Sequence, residues 1–405
     1  MSATRQITRR GFVRGAAATV AAPWLVPGSA LGADGGTPAN DRIVMGAIGV
    51  GGRGSGDMGG LMGFKEVQMI AVCDPVPAHR ERAKGRVDGH NKNKDCSMHS
   101  DFREITSRDD IDAVMIGTPD HWHAIITIDA CKNGKDVFCE KPETLTIGEG
   151  RAMVKAVRRY SRVFGGGSQR VLGDYGTLPR RVRGRAVGEI RECFVACGGP
   201  SKDCYLPAEP LPKGLDWDMW LGPAPWRPYH PNLTRGGFRP FRDYSGGGMT
   251  DWGAHRFGSA MFAIGVHKEG PVEVIPPDGK DVKLLTFIFK NGLKMYHGGT
   301  GNLKYVGTDG ELPGSDKQPQ GDVEIEGYRG RGLLGDFVES VKQRKPAFRD
   351  IEIAHRATTV CHLGNIAYWL KRPLKYDPVK EEIVGDPEAN RWIDRPKREP
   401  WTLEV

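Results

Sequence analysis

Residues 42–54 read RIVMGAIGVGGRG. A short apolar run ends in glycines, and the spacing Gly49-Val50-Gly51-Gly52-Arg53-Gly54 is G-x-G-x-x-G. Where such a loop links a strand to a helix, the first glycine permits a tight turn. The second lets the backbone approach a pyrophosphate, and the third lets helix pack on strand. The helix N-terminus that follows faces the phosphates. Glycine-rich turns are common, so the neighbours matter. The next apolar run, VQMIAVCD (67–74), closes on Asp74. That carboxylate lies about 25 positions beyond Gly49, the distance at which an acid meets the adenosine ribose 2′-OH. It suits NAD and would repel the 2′-phosphate of NADP, although Arg53 and Arg80 pull the other way.

Working outward, the alternation continues. PVPAHRERAKGRV (75–87) has helical period, IDAVMIGTP (111–119) is a third apolar run, and HAIITIDACKNG (123–134) is helical again. DVFCEKP (136–142) and IGEGRAMVKAVRRY (147–160) repeat the pair. Buried strands alternating with helices read as parallel βαβ units, a Rossmann domain over 40–166. Ligands in such sheets sit beyond the carboxyl ends of the strands. GTPDHWHA (117–124) and CEKPETL (139–145) lie at two of those ends. The expected dinucleotide set is therefore Gly49, Gly51, Gly52, Arg53, Gly54, Asp74, Thr118, Pro119, His121, His123, Glu140 and Lys141. His123 is expected to wall the nicotinamide pocket. His121 and His123 lack a further cluster to complete a metal site, so no metal is expected.

From 167 to 405 the pattern changes. GEIRECFVACG (188–198) reads as a strand, and DVKLLTFIFKNGLKMYHGG (281–299) as two strands joined at Asn291-Gly292, a strong hairpin signal. LKYVGTDG (303–310) and DVEIEGY (322–328) add short strands, with helices over 254–264, 333–344 and 351–371. Strands without intervening helices indicate an open, mostly antiparallel sheet, giving an α/β domain followed by an α+β domain. Residues 214–248 are rich in Gly, Pro and aromatics. They could stack on the CH faces of a sugar or form an oligomer contact. In GGGMTDWGAHRFGSAM (246–261), Asp251 and His255 are four apart and share a helix face. That is the spacing of a proton-accepting His beside an orienting carboxylate, and equally that of an N-cap Asp and a structural His.

The N-terminus carries an address. Thr8-Arg9-Arg10-Gly11-Phe12-Val13 precedes a mild apolar stretch and the small residues Ala30-Leu31-Gly32-Ala33. This order fits a twin-arginine export signal over 1–33 and periplasmic or other exported localisation. The stretch is too short and too weakly apolar for a stable membrane span. About 370 residues remain, enough for two domains. The formal net charge of +8 is half signal, since 1–33 hold four arginines and no acids. The remaining excess is too mild to argue for nucleic acid. Cysteines at 73, 96, 131, 139, 193, 197, 204 and 361 are scattered and read as buried free thiols.

Taken together, GVGGRG, AVCD, TPDHWHA, CEKP, LDWDMWLGPAPWRPY, GGGMTDWGAH and the tail VCHLGNIAYWLKRPLKYDP…VGDPEANRWI resemble the glucose–fructose oxidoreductase / inositol dehydrogenase (Gfo/Idh/MocA) family, in its twin-arginine-exported branch. The resemblance implies a bound NAD or NADP, a sugar or cyclitol substrate, and a homo-oligomer, dimer or tetramer, made through the second sheet. It assigns catalysis to Lys141, Asp251 and His255. Relatives often carry an acid three residues after the His, where this chain has Gly258. Export of a folded protein with its cofactor implies a dinucleotide held tightly and recycled in place. Three functions fit: an oxidoreductase on a secondary hydroxyl; a glycoside hydrolase that oxidises C3 transiently, eliminates and rehydrates; and a non-catalytic sugar-binding protein. The intact lysine favours the first.

Overall fold

The opening apolar run forms β1 (Ile43–Ile48), and Gly52–Met62 form helix α1. There follow β2 (Val67–Cys73), α2 (Pro77–Asn91), β3 (Ser97–His99), β4 (Ala113–Ile116), α3 (Asp120–Lys132), β5 (Asp136–Cys139), α4 (Ile147–Arg159) and β6 (Phe164–Gly166). The computed structural model describes residues 37–168, 177–313 and 327–405. The strands make a six-stranded sheet in the order β3-β2-β1-β4-β5-β6. Every pairing in it is parallel. Every residue of β4 and β5 is buried, as expected of strands covered on both faces. Strand order reverses direction between β1 and β4, which opens a crevice beyond their carboxyl ends. Register then lines up the site. Ile48 pairs with Cys73 and with Ile116, and Ile116 pairs with Cys139. The residues just after these four, Gly49, Asp74, Gly117 and Glu140, therefore end side by side.

The second sheet has eight strands in the order β12-β11-β7-β10-β9-β8-β13-β14. They are β7 (Ile190–Val195), β8 (Pro271–Ile275), β9 (Leu285–Phe289), β10 (Lys294–His297), β11 (Leu303–Gly307), β12 (Gly310–Leu312), β13 (Leu374–Asp377) and β14 (Glu382–Ile383). All neighbours are antiparallel except β7 and β10. The β9–β10 turn uses Gly292 at φ +81°, which a side chain would resist. One face of this sheet, with Cys193, Val195, Leu285, Phe287 and Met295, packs on helices α6 (Gly253–Ala263) and α8 (Ile351–Leu370). Phe257 and Phe287 meet edge to face at 5.4 Å. Burying each such ring contributes roughly 1.5–3 kcal/mol. A four-residue helix, α5 (Gly248–Asp251), leads into α6.

Two later segments return to the first sheet. Helix α7 (Gly332–Gln343) sets Phe337 against Phe138 at 5.7 Å. The C-terminal Trp401 meets Trp122 at 4.7 Å. The expected strand 322–328 falls outside the described residues except for its last two positions.

Candidate active site

At the carboxyl ends of the first sheet lies a cleft of about 310 Å³. Its floor is the glycine loop. Gly49 has φ +78°, and a Cβ there would sit 2.5 Å from Thr118 N. A Cβ on Gly54 would sit 1.9 Å from Gly49 O. Both glycines are thus required by backbone packing. Gly51 and Gly52 face space instead: a Cβ on Gly52 meets nothing within 4 Å, and one on Gly51 only the His79 ring at 3.4 Å. The loop amides at the head of α1 are therefore accessible to a diphosphate. Asp74 closes the adjacent end. Its Oδ2 accepts from Val50 N–H at 3.0 Å, and its Oδ1 accepts from Val76 N–H at 2.9 Å and lies 3.2 Å from His79 Nδ1. These residues fit a nicotinamide dinucleotide, and Thr118 adds a buried Oγ1 with no protein partner on the cleft wall.

Arg53 spans the loop mouth. Its guanidinium bonds Asp57 at 2.5 Å and Glu140 at 3.1 Å. Burial pushes the Asp57 carboxyl up to about 8, with the charge of Glu140 adding to it. Glu140 also accepts from Lys141 N–H at 3.2 Å, which fixes the turn after β5.

Lys141 points to the second half of the chain. Its Nζ donates to Asp251 Oδ1 at 2.6 Å and to Asp251 O at 2.8 Å. Arg239 Nε donates to the same Oδ1 at 3.3 Å. Lys141 and Arg239 both line the cleft. α5 and α6 join at Trp252, which keeps right-handed helical angles, so Asp251 and His255 stay one turn apart. Their described contacts nevertheless diverge. Asp251 serves Lys141 and Arg239, whereas His255 Nδ1 lies 3.0 Å from Ser168 Oγ. The spacing alone fitted a catalytic pair and an N-cap Asp with a structural His equally; the Asp251 carboxylate crosses to Lys141, in the turn after β5.

His121 and His123 sit behind the wall rather than in it. His123 Nδ1 is 2.8 Å from Pro142 O and Nε2 is 2.9 Å from Thr118 O, so the ring ties the two strand-end turns together. Burial lowers its pKa, and the neutral ring donates to one of the two carbonyls. The wall expected of His123 is made by Thr118, Pro119, Asp120, Glu140 and Lys141. His121 Nε2 meets Trp220 O at 3.1 Å, and burial takes this ring down to about 4.

Trp220 belongs to a roof that sequence reasoning left open between sugar site and oligomer contact. Met219, Trp220, Leu233, Thr234, Arg235, Gly236, Phe238 and Arg239 cover the cleft from above. The roof has its own apolar cluster, including Trp217 stacked on Trp220 at 4.9 Å. Trp122 Nε1 donates to Met219 O at 3.0 Å, and Asp216 N–H to Pro75 O at 3.3 Å, so the roof is pinned to the dinucleotide side. Gly258, where relatives often carry an acid, faces Arg349: a Cβ would sit 2.8 Å from its Nη1. That space belongs to a buried ion pair, Arg349 Nε to Glu143 Oε1 at 3.2 Å. Among the described residues, no cluster of three or more His, Cys, Asp or Glu could hold a metal ion. The thiols are free, and burial pushes Cys193 well up.

Comparison with known proteins agrees with this architecture. The profile of an oxidoreductase family with an NAD-binding Rossmann fold (Gfo/Idh/MocA) matches residues 43–168. That of the same family's C-terminal alpha/beta domain matches 200–302 and 320–403. A glycosyl hydrolase family 109 protein 1 of Shewanella sp. (strain MR-4) is 34% identical over 125 residues, 30% of this chain and 27% of the relative. The match thus spans about a quarter of that relative's length. Among solved structures, scyllo-inositol dehydrogenase of Lactobacillus casei, with bound NAD(H) and scyllo-inositol, is 17% identical with a TM-score of 0.58. The alignment covers 82% of this chain and 99% of that one. An aldose–aldose oxidoreductase of Caulobacter crescentus, complexed with glycerol, is 16% identical with a TM-score of 0.59, over 82% and 99%. At these identities the structures speak for the fold, and the two profiles for the family. The chain belongs to the Gfo/Idh/MocA oxidoreductase family, with an N-terminal NAD-binding Rossmann domain and the family's C-terminal domain.

Proposed function

We propose that the protein oxidises or reduces a secondary hydroxyl of a sugar, glycoside or cyclitol, using NAD(H) in preference to NADP(H). The observation that carries this is the Lys141–Asp251 bond beside the dinucleotide cleft. A bound nicotinamide dinucleotide supplies two-electron redox chemistry there. The chain does the rest. The carboxylate of Asp74 accepts the adenosine ribose hydroxyl and disfavours a phosphate at that position. Lys141 Nζ hydrogen-bonds the reacting oxygen and stabilises negative charge developing on it. Asp251, held also by Arg239, keeps Nζ aimed. His255, one helical turn beyond Asp251, takes the hydroxyl proton. The roof slows escape of the dinucleotide, which suits export through the twin-arginine route in a folded, loaded state followed by recycling in place. The open face of the second sheet serves a homo-oligomer.

Lys141→Met tests the assignment. Dinucleotide affinity stays within a few-fold, and turnover on the best substrate of a sugar, glycoside and cyclitol panel falls on the order of 10²-fold or more. Near-full turnover removes Lys141 from the chemistry. A second reading is favoured by the relatives named as family 109 glycosyl hydrolases. In it, a glycoside is oxidised transiently at C3, eliminated across C2, hydrated and reduced. Solvent deuterium at C2 of a hydrolysed glycoside would place the protein in that class.

A further inference from the structure

Of the cleft carboxyls outside the proposed chemistry, Glu140 is held by Arg53, whereas Asp120 has no such partner. Asp120 opens α3 and lines the cleft between Pro119 and the Lys141 turn. It is 4% exposed, and its Oδ2 has no hydrogen-bond partner. Ser245 is near enough to lower its pKa, yet Ser245 Oγ also lacks a partner, so the two do not form a bond of normal geometry. An orphaned buried carboxyl oxygen is costly. The N-terminus of α3 offsets only a part of that cost. The residue that carries this oxygen lines the cleft, where a ligand's polar group can meet the carboxyl.

What can meet it follows from the surroundings. Arg239 faces Asp120 from the roof, Asp251 from α5, and Lys141 from the turn after β5, with the buried Cys139 thiol at the strand end. Burial, reinforced by Asp251 and opposed by Arg239 and Lys141, takes the carboxyl up to about 7. A full positive charge on the ligand would meet Arg239 and Lys141 and is disfavoured. A full negative charge would meet Asp251 and the ionised fraction of Asp120. A neutral hydroxyl, which donates and accepts, suits both protonation states.

We propose that Asp120 is a substrate-binding residue whose carboxyl hydrogen-bonds the hydroxyl neighbouring the one held by Lys141, so that the cleft selects vicinal diols. The inference rests on the functional reading above, because it takes the ligand beside Lys141 to be a polyol. Ligand binding at this position is linked to the Asp120 proton, and polyol affinity therefore changes with pH around neutrality.

The test is a binding cycle on the full protein loaded with NAD, read by calorimetry and not by turnover. The probes are myo-inositol, glucose and methyl glucoside, and for the tightest binder the analogue deoxygenated beside the reacting carbon. Asp120→Ala weakens the parent polyol roughly 10- to 100-fold. The deoxy analogue binds the wild-type protein about as weakly, and Asp120→Ala costs it nothing further, the mark of a direct pair. Asp120→Asn keeps donor and acceptor and abolishes the pH dependence while retaining part of the affinity. It also guards against misfolding of the alanine variant. Equal losses for parent and deoxy ligand overturn the proposal, as does Asp120→Asn affinity that still varies with pH like wild type. A wild-type protein that binds NAD and none of the polyols overturns both this assignment and the carbohydrate reading. Polyol binding unaffected by Asp120 overturns this assignment alone.

Discussion

Gly54→Ala is the sharpest structural perturbation of the cofactor loop. The new Cβ would lie 1.9 Å from Gly49 O, 3.1 Å from Gly49 C and 3.3 Å from Gly117 Cα. All three atoms are backbone, so no side chain can swing away. Relief requires α1 to move off β1 and β4 or the Gly49 turn to open. Overpacking of this kind costs about 1–3 kcal/mol. The strain is relieved where the loop amides must meet the diphosphate. If it passes wholly into binding, NAD affinity falls by roughly 5- to 150-fold. Gly56→Ala is the internal control. Gly56 lies in the same helix, is exposed, and a Cβ there meets nothing within 4 Å. Alanine should raise stability by roughly 0.5–1 kcal/mol and leave NAD affinity alone. The assay is calorimetric titration of NAD into both variants after removal of bound dinucleotide, with denaturant midpoints alongside. Wild-type affinity in Gly54→Ala would refute the assignment of this loop to the diphosphate.

Other consequences follow from the same contacts. His121→Leu removes the strut to Trp220 O, so the roof loosens and NAD dissociates faster, by roughly 5- to 10-fold for one lost buried bond; stopped-flow chase with excess unlabelled dinucleotide measures it. Burial acts to raise the Glu381 pKa, but bonds from Arg151 and His355 hold the carboxyl down to about 2. A depressed acid stabilises the fold above its unfolded pKa, and that stability is lost as pH falls through about 2. Glu381→Gln should therefore cost about 1–3 kcal/mol at neutral pH, after discounting for solvent screening, and flatten the acid limb of the stability curve. Gly258→Asp should not restore a substrate contact. Its Cβ meets the Arg349 Nη1, and the variant should lose stability with no change in polyol preference, checked by denaturation and competition binding.

Much of the first sheet could be read directly because its strands are buried on both faces and its helices are periodic. β3 and β6, three residues each, carry too little pattern to be seen, and a parallel partner beside β7 cannot be told from an antiparallel one by composition. The return of α7 to the first sheet is a long-range event that no local period encodes. At the site, strand ends and glycine spacing pointed to the loop, Asp74 and Lys141, since these follow from chain order alone. Side-chain partners were less accessible. Asp251 is four residues from His255 but bonds Lys141, 110 positions away. His121 and His123 stood at a ligand-bearing turn, yet their bonds to carbonyls make them struts. Asp120, between Pro119 and His121 in GTPDHWHA, is not legible from sequence because only its environment distinguishes it from an ordinary helix-start acid. The aromatic stretch 214–248 had no period, and only its pinning to Pro75 and Trp122 shows that it roofs the cleft.

The most direct test is to purify the protein without added cofactor, unfold it, and identify any released dinucleotide by mass and by the absorbance of the reduced nicotinamide. A roofed cleft that carries its own cofactor predicts near-stoichiometric NAD(H), with little NADP(H). An empty protein that binds NAD only weakly would contradict the account, for the cleft would then be neither a retained cofactor site nor the seat of a closed redox cycle.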